Sequence, residues 1–390
     1  MRFVHTADWQ LGMRRRVLGA RPPKEAAAGV TGEAQARYAQ ARLDAVAALG
    51  RLADQRDAAF VLVCGDVFES NLVGPDVVAR ACEALASFRT PVLLLPGNHD
   101  PADAACVLRR PDFARRRPAH VTVLDSPGVH EVAPGIEVVA APWRSKHPLT
   151  DLVGEQLADL GPAPPGTLRV LAGHGELDVL DPDDDEPARI RRDGVLAALG
   201  DGRIHYAALG DRHSTWVDAA DDRIRHPGTP EVTDFDEVDP GNVLVVDLDE
   251  HAAAVATERV GCWSFVRHDT RLDTDDDLER LDAWLAARPD KERAAVRLAL
   301  VGTLSLRQRS HLDDLLAAHG HAFAAVEVLP QHSDLATVPD DADLADLDLH
   351  GFAADAATEL FAAAGGSDGG ADTEARDALR LLHRLVGSDR

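Results

Sequence analysis

The chain has 390 residues, 45% of them hydrophobic and 27% charged, enough for one large core plus one or two small domains, which excludes wholesale disorder. Its formal net charge of −25 excludes a protein that coats nucleic acid by bulk charge, although arginines and bound cations can reverse the potential at a single site. No run of about eighteen uncharged apolar residues exists, so no membrane span is expected, and the chain opens on Arg2-Phe3-Val4-His5 with no signal-like segment.

Residues 2–6 read as the first strand, ending at Asp8-Trp9-Gln10-Leu11-Gly12. Residues 13–32 are basic, then rich in Ala, and read as a surface loop. Through 33–56, Ala36, Ala39, Leu43, Val46, Ala47 and Leu49 recur at helical spacing. Residues 60–64 are an apolar strand followed by Gly65-Asp66, and 76–88 a helix. A third strand, 91–95, stops at Pro96-Gly97 and presents Asn98-His99-Asp100. This alternation predicts an α/β fold with a buried, largely parallel sheet and covering helices. In such sheets ligands sit beyond the carboxyl ends of the strands.

Residues 101–118 are arginine-rich, and short β segments follow at 121–124, 129–132 and 136–140. A strand at 168–172 ends at Gly173-His174, and after an acidic loop (181–186) and a helix (190–199) another at 204–209 ends at Gly210-Asp211-Arg212-His213. Pro227-Gly228-Thr229-Pro230-Glu231 reads as a loop and 242–247 as a strand. From about 262 the pattern restarts as β (263–267), α (274–287, with Thr274 at its N-cap), β (294–301), α (307–318), β (323–329), without strand-end ligands. An acidic linker at 340–348 leads to helices at 351–364 and 372–386, joined by the Gly-rich stretch 365–370. The chain thus divides at 1–258, 259–335 and 336–390. Cys64, Cys82, Cys106 and Cys262 are widely spaced without a CxxC pair and read as reduced core residues of a cytoplasmic protein.

Asp8, Asp66, Asn98, His174, Asp211 and His213 all lie just beyond expected strands. Alone, any one of them is a cap or a structural residue. Together they supply what two divalent ions about 3.5–4 Å apart require, a bridging carboxylate and several oxygen and nitrogen donors around a phosphodiester.

Asp8-Trp9-Gln10-Leu11-Gly12, Gly65-Asp66-Val67-Phe68, Gly97-Asn98-His99-Asp100, Gly173-His174 and Gly210-Asp211-Arg212-His213 resemble, in order, the five motifs of the calcineurin-like metallophosphoesterase superfamily. His5-Thr6-Ala7-Asp8-Trp9, Gly65-Asp66-Val67-Phe68-Glu69 and Pro227-Gly228-Thr229-Pro230-Glu231 are similar to the wording of its SbcD-type DNA repair exonucleases. The resemblance implies a β-sandwich flanked by helices over 1–258, a small α/β cap that recognises DNA over 259–335, and C-terminal helices that dock an SbcC-like SMC-type ATPase. It implies a homodimer with exonuclease and endonuclease activity on DNA and two Mn²⁺ ions, Mg²⁺ being an alternative. Asp8, Gln10, Asp66 and His213 would hold one ion; Asp66, Asn98, His174 and Asp211 the other. His99 would face the scissile phosphate, with Asp100 orienting its ring.

Two positions depart from the resembled pattern, which has His at Gln10 and at Asp211. Gln10 can ligate only weakly through its carbonyl oxygen, whereas Asp211 adds a hard anionic donor that favours Mn²⁺ or Mg²⁺. Arg14, Arg15 and Arg16 after the first motif, and Arg109, Arg110 and Arg115–Arg117 after the third, are read as loop residues that contact DNA phosphates. Two other readings stay open: a phosphodiesterase for a small substrate, and a weakened architectural subunit that docks an ATPase on DNA ends.

Overall fold

The computed structural model describes residues 1–19, 32–181, 186–338 and 352–364, and, of the C-terminal stretch, residues 374–375, 378–379 and 381–382. Most of the basic loop, the acidic linker, the Gly-rich stretch and most of the last expected helix lie outside these. The chain forms two compact units, one of Met1–Arg15 with Gln35–Trp263 and one of Arg16–Ala34 with Ser264–Arg390.

The first unit is built on two six-stranded sheets. In the first sheet β1 (Arg2–Thr6), β2 (Val61–Cys64), β3 (Val92–Leu95) and β4 (Val121–Val123) run parallel in that order, and β11 (Asn242–Leu248) and β12 (Ala253–Arg259) extend it antiparallel beyond β1. The second sheet has the order β5 (Gly128–Ala133), β6 (Ile136–Ala140), β7 (Leu168–His174), β8 (Tyr206–Gly210), β10 (Ile224–His226), β9 (Trp216–Val217). Strand–helix alternation alone indicated one largely parallel sheet; the two mixed sheets packed face to face and flanked by helices are the β-sandwich that the resemblance implies. Alternation along the strands explains the layering. Phe3, Leu62, Cys64, Leu93 and Leu95 meet Val138, Ala140, Val170, Ala172 and Tyr206 between the sheets.

The residues between them on each strand face outward. Val4, Val61, Val63 and Leu94 bury Val46 and Leu49 of α1 (Glu33–Gln55) and Val78 and Leu85 of α2 (Pro75–Ala86). Val139, Leu171 and Leu209 likewise bury Leu157 of α4 (Leu152–Ala158) and Val195 of α5 (Arg192–Gly200). β2 and β3 are buried on both faces, which is why they read as unbroken apolar runs. β12, with mostly exposed and half-exposed positions, had no such signal and was not expected. The arginine-rich stretch is not simply a loop. It holds a 3₁₀ turn (Val107–Arg109) and a short helix, α3 (Pro111–Arg116), started by Pro111 and anchored by buried Phe113.

The second unit is a four-stranded parallel sheet. β14 (Ala294–Leu304) pairs with β13 (Ser264–Leu272) on one side and with both β15 (Ala325–Val328) and β16 (Asp334–Thr337) on the other. Leu278, Leu281 and Leu285 of α6 (Asp275–Ala286) and Leu312 and Leu315 of α7 (Leu306–Gly320) pack with Val296, Leu298 and Leu300 of β14. Thr274 caps α6 in a reciprocal box with Asp277, and Ser305 caps α7 with Gln308. A further helix, α8 (Phe352–Ala364), contributes Ala364 to a cluster with Leu306, Ala375 and Leu379.

Three cysteines are buried, but Cys262, read as a core residue, is exposed; its backbone N–H donates to the buried carboxylate of Glu231. Among the described residues no helix is long and apolar enough to cross a membrane.

Candidate active site

The loops after β1, β2, β3, β7 and β8 converge. Four of the seven expected ligands adopt left-handed backbone geometry: Asp8 (φ 55°), Gln10 (41°), Asp66 (54°) and Asp211 (86°). That geometry costs a non-glycine residue roughly 1–2 kcal/mol, and long-range hydrogen bonds hold it. The Asp8 N–H donates to Gly65 O at 3.1 Å and the Gln10 N–H to Asp66 O at 2.8 Å. The two glycines before the second and third motif residues allow close approach. A Cβ on Gly65 would lie 2.0 Å from His174 Nδ1, and one on Gly97 2.2 Å from Asp66 Oδ1.

The structure brings all seven expected ligands together. Ligand atoms of buried Asp8, Asp66 and His174 lie within 4.8 Å of one another. His174 Nε2 is 3.0 Å from Asn98 Oδ1 and 3.5 Å from both Asp66 Oδ1 and Asp211 Oδ1. On the other side, His213 Nε2 lies 4.0 Å from Asp8 Oδ1 and receives the Gln10 amide nitrogen at 3.1 Å. That amide nitrogen also lies 3.5 Å from Asp66 Oδ2, and Gln10 Oε1 is buried without a partner.

Three histidines share one orientation. His174 Nδ1 donates to Cys64 O at 2.8 Å, His99 Nδ1 to Glu69 O at 2.9 Å, and His213 Nδ1 to Thr233 Oγ1 at 2.6 Å and Glu237 Oε1 at 3.1 Å. Each such bond fixes the tautomer that leaves Nε2 with a lone pair.

Burial pushes the Asp8 carboxyl up to about 7, with Asp66 and Asp211 adding to the rise against the opposing pull of His213 and His174. Burial opposes the charge on His174, but Asp66, Asp211 and Asp8 outweigh it and raise it to about 9. His213 also rises to about 9, because Glu237, Asp8 and Asp66 overcome its burial. A pocket of buried carboxylates edged by imidazole nitrogens fits a hard divalent cation, whose charge would offset the repulsion.

Asp100 does not hold the His99 ring. It is fully buried, accepting the N–H of Gly97 at 2.9 Å on one oxygen and that of Phe68 at 3.0 Å on the other, so it ties the third motif to the second. The His99 ring is oriented by the Glu69 carbonyl instead. Arg109 bonds Asp125 Oδ2 at 2.7 Å and Ala102 O at 3.2 Å, and Arg110 bonds Asp112 Oδ2 at 2.6 Å and Val73 O at 2.8 Å, so Arg109 braces its own segment and Arg110 ties that segment to the stretch after β2. Arg14 is exposed, Arg15 pairs with Asp234, and exposed Arg16 belongs to the second unit.

Of the residues that support the site, Arg42 and Trp143 were not singled out from the sequence, whereas Thr229 lies in a quoted motif. Buried Arg42 donates to Trp9 O at 2.7 Å, Tyr38 Oη at 2.8 Å and Glu231 O at 3.1 Å. Thr229 Oγ1 donates to Asp8 O at 3.0 Å, and the Trp143 indole nitrogen to His174 O at 2.6 Å. Arg42 resembles any exposed helical arginine in sequence. Its partners Trp9 and Glu231 lie in the first and the Pro227–Glu231 motifs.

The model of the calcineurin-like phosphoesterase family matches residues 1–246. The chain belongs to the calcineurin-like phosphoesterase family. The match spans the five ligand-bearing loops, and the buried Asp8, Asp66 and His174 cluster gives this phosphoesterase a metal-binding site of metallophosphoesterase type. No curated protein matches the chain. A crystal structure of TT1561 of Thermus thermophilus aligns over 66% of this chain and 98% of its own, at 10% identity and a TM-score of 0.38.

Proposed function

We propose that this phosphoesterase hydrolyses phosphodiester bonds of DNA, as an exonuclease and endonuclease, with two divalent cations, Mn²⁺ or Mg²⁺. The observation that carries the reading is the position of Asp66. It lies between one donor set, Asp8, Gln10 and His213, and another, Asn98, His174 and Asp211, as a shared carboxylate between two cations must. Cations held there supply positive charge against the phosphoryl oxygens and lower the pKa of water. His174 and His213 hold their Nε2 lone pairs inward through their Nδ1–H bonds. His99, fixed through Nδ1, offers Nε2 to a phosphate or leaving-group oxygen.

The choice of DNA is supported by the SbcD-like wording of the first, second and Pro227–Glu231 motifs. The same resemblance supports a homodimer working with an SMC-type ATPase in DNA double-strand-break repair. Calorimetry with Mn²⁺ and parallel assays on linear DNA and a small phosphodiester test this. Two bound ions with preferential DNA cleavage are expected. Preference for the small diester would overturn the DNA reading.

One observation favours the weakened architectural alternative. Gln10 places a neutral amide between His213 and Asp66, a weaker donor than the imidazole of the resembled pattern. Intact folding with no Mn²⁺ binding would favour that alternative.

A further inference from the structure

The Nδ1–H bonds behind the site histidines differ in kind. His174 and His99 donate to backbone carbonyls, Cys64 O at 2.8 Å and Glu69 O at 2.9 Å. His213 donates instead to two side chains, Thr233 Oγ1 at 2.6 Å and Glu237 Oε1 at 3.1 Å. The chemistry of Glu237 fixes the direction of each bond, because a carboxylate accepts and does not donate. The Thr233 hydroxyl directs its proton at Glu237 Oε1 and keeps its lone pairs for the His213 N–H, and the Thr233 backbone N–H donates to Glu237 Oε2 at 2.9 Å. Both carboxylate oxygens are thus engaged, on a side chain only 6% exposed.

The loop that carries Glu237 is itself pinned. Tyr38 Oη donates to Val232 O at 2.6 Å, Arg15 pairs with Asp234, and the Val238 N–H donates to Ser214 Oγ, beside His213, at 2.9 Å. A carboxylate behind an imidazole locks the ring and makes its other nitrogen a stronger donor to a cation than a carbonyl does. That reinforcement stands on the side of the site that needs it. The Gln10 amide lies 3.1 Å from His213 Nε2, and a neutral amide is the weakest donor among Asp8, Gln10, Asp66 and His213.

We propose that Glu237, acting with Thr233, is a positioning residue for the cation of Asp8, Gln10, Asp66 and His213: it strengthens His213 as a donor and offsets the weak amide at Gln10. The proposal rests on the two-cation reading above and adds that the two cations are held by histidines of unequal strength.

Glu237→Gln keeps the size of the side chain and removes its charge. Calorimetric titration of the full chain with Mn²⁺ should show two ions in the wild-type protein. In the variant one of them should bind about tenfold to a hundredfold more weakly, with the other unchanged and the circular dichroism of the fold retained. Gln10→His, which supplies a second imidazole on the same side, should recover most of that loss when combined with Glu237→Gln. In cation-free protein with ¹⁵N-labelled histidine, the His213 Nδ1–H proton resonance, assigned with His213→Gln, should move upfield in Glu237→Gln as an amide replaces the carboxylate. Equal weakening of both ions, unchanged affinity for both, no recovery with Gln10→His, or an unmoved resonance would each overturn the role of Glu237 and leave the two-cation reading standing. A wild-type protein that binds fewer than two Mn²⁺ ions would overturn the two-cation reading and the role of Glu237 with it.

Discussion

At the scale of single residues, Gln10 and the two site histidines set how tightly a cation is held. Gln10 offers a neutral amide among Asp8, Asp66 and His213, with its nitrogen toward His213. Gln10→His would replace it with an imidazole lone pair, and Mn²⁺ affinity should tighten by roughly tenfold or more, a gain typical of adding a nitrogen donor. Unchanged affinity in a calorimetric titration would show that Gln10 is not a weak ligand. The protonation states give a second test. His174 and His213 are raised to about 9 and Asp8 to about 7. Below those values each binds a proton that a cation must displace. Mn²⁺ affinity should therefore rise steadily from about pH 6 to about pH 8, with proton release on binding. Titrations in buffers of different ionisation enthalpy measure that release; a flat profile would mean the site binds its cation without these groups.

At the scale of elements, the strand-end loops depend on glycines that clear space for ligands. Gly97→Ala would push a methyl group to 2.2 Å from Asp66 Oδ1, so either the carboxylate or the third-motif loop must move. Mn²⁺ binding should fall by about two orders of magnitude, the upper range for disturbing the support of a ligand, with the circular dichroism of the fold retained. Retained binding would place the flexibility in the loop. The helix α6 offers a contrasting case, since its capping box of Thr274 with Asp277 lies in the second unit. Thr274→Ala should cost about 1 kcal/mol in denaturant unfolding and leave Mn²⁺ binding as it was. A coupled loss of cation affinity would show that the two units share the site's stability.

At the scale of the whole molecule, the net charge of −25 opposes approach to DNA. Arg109 and Arg110 are committed to Asp125 and Asp112, so they offer little to offset it. If the proposed substrate is right, DNA association should depend on divalent cations. Fluorescence anisotropy with a single-stranded oligonucleotide should show negligible binding in EDTA and clear binding with Ca²⁺, a hard cation suited to oxygen-rich sites. Equal binding in EDTA would move the contact surface away from the metal site.

Sequence alone was enough to single out Asp8, Asp66 and His174, the cluster able to hold a cation, and the residues gathered around it, because strand ends, glycine turns and short polar motifs are local features. Local helix chemistry was equally legible, as at Thr274. Tertiary structure decided the rest. It made two sheets where alternation suggested one, since strand periodicity reports burial but not which sheet buries a strand. It gave Asp100 to the backbone of Gly97 and Phe68 and the His99 ring to Glu69. It set Arg42 beneath Trp9 and Glu231 and committed Arg109 and Arg110 to ion pairs with Asp125 and Asp112. A buried charge or amide is assigned by the partner the fold brings to it. Several of those partners lie far along the chain, with Arg42 and Glu231 separated by 189 positions, beyond the reach of any local pattern.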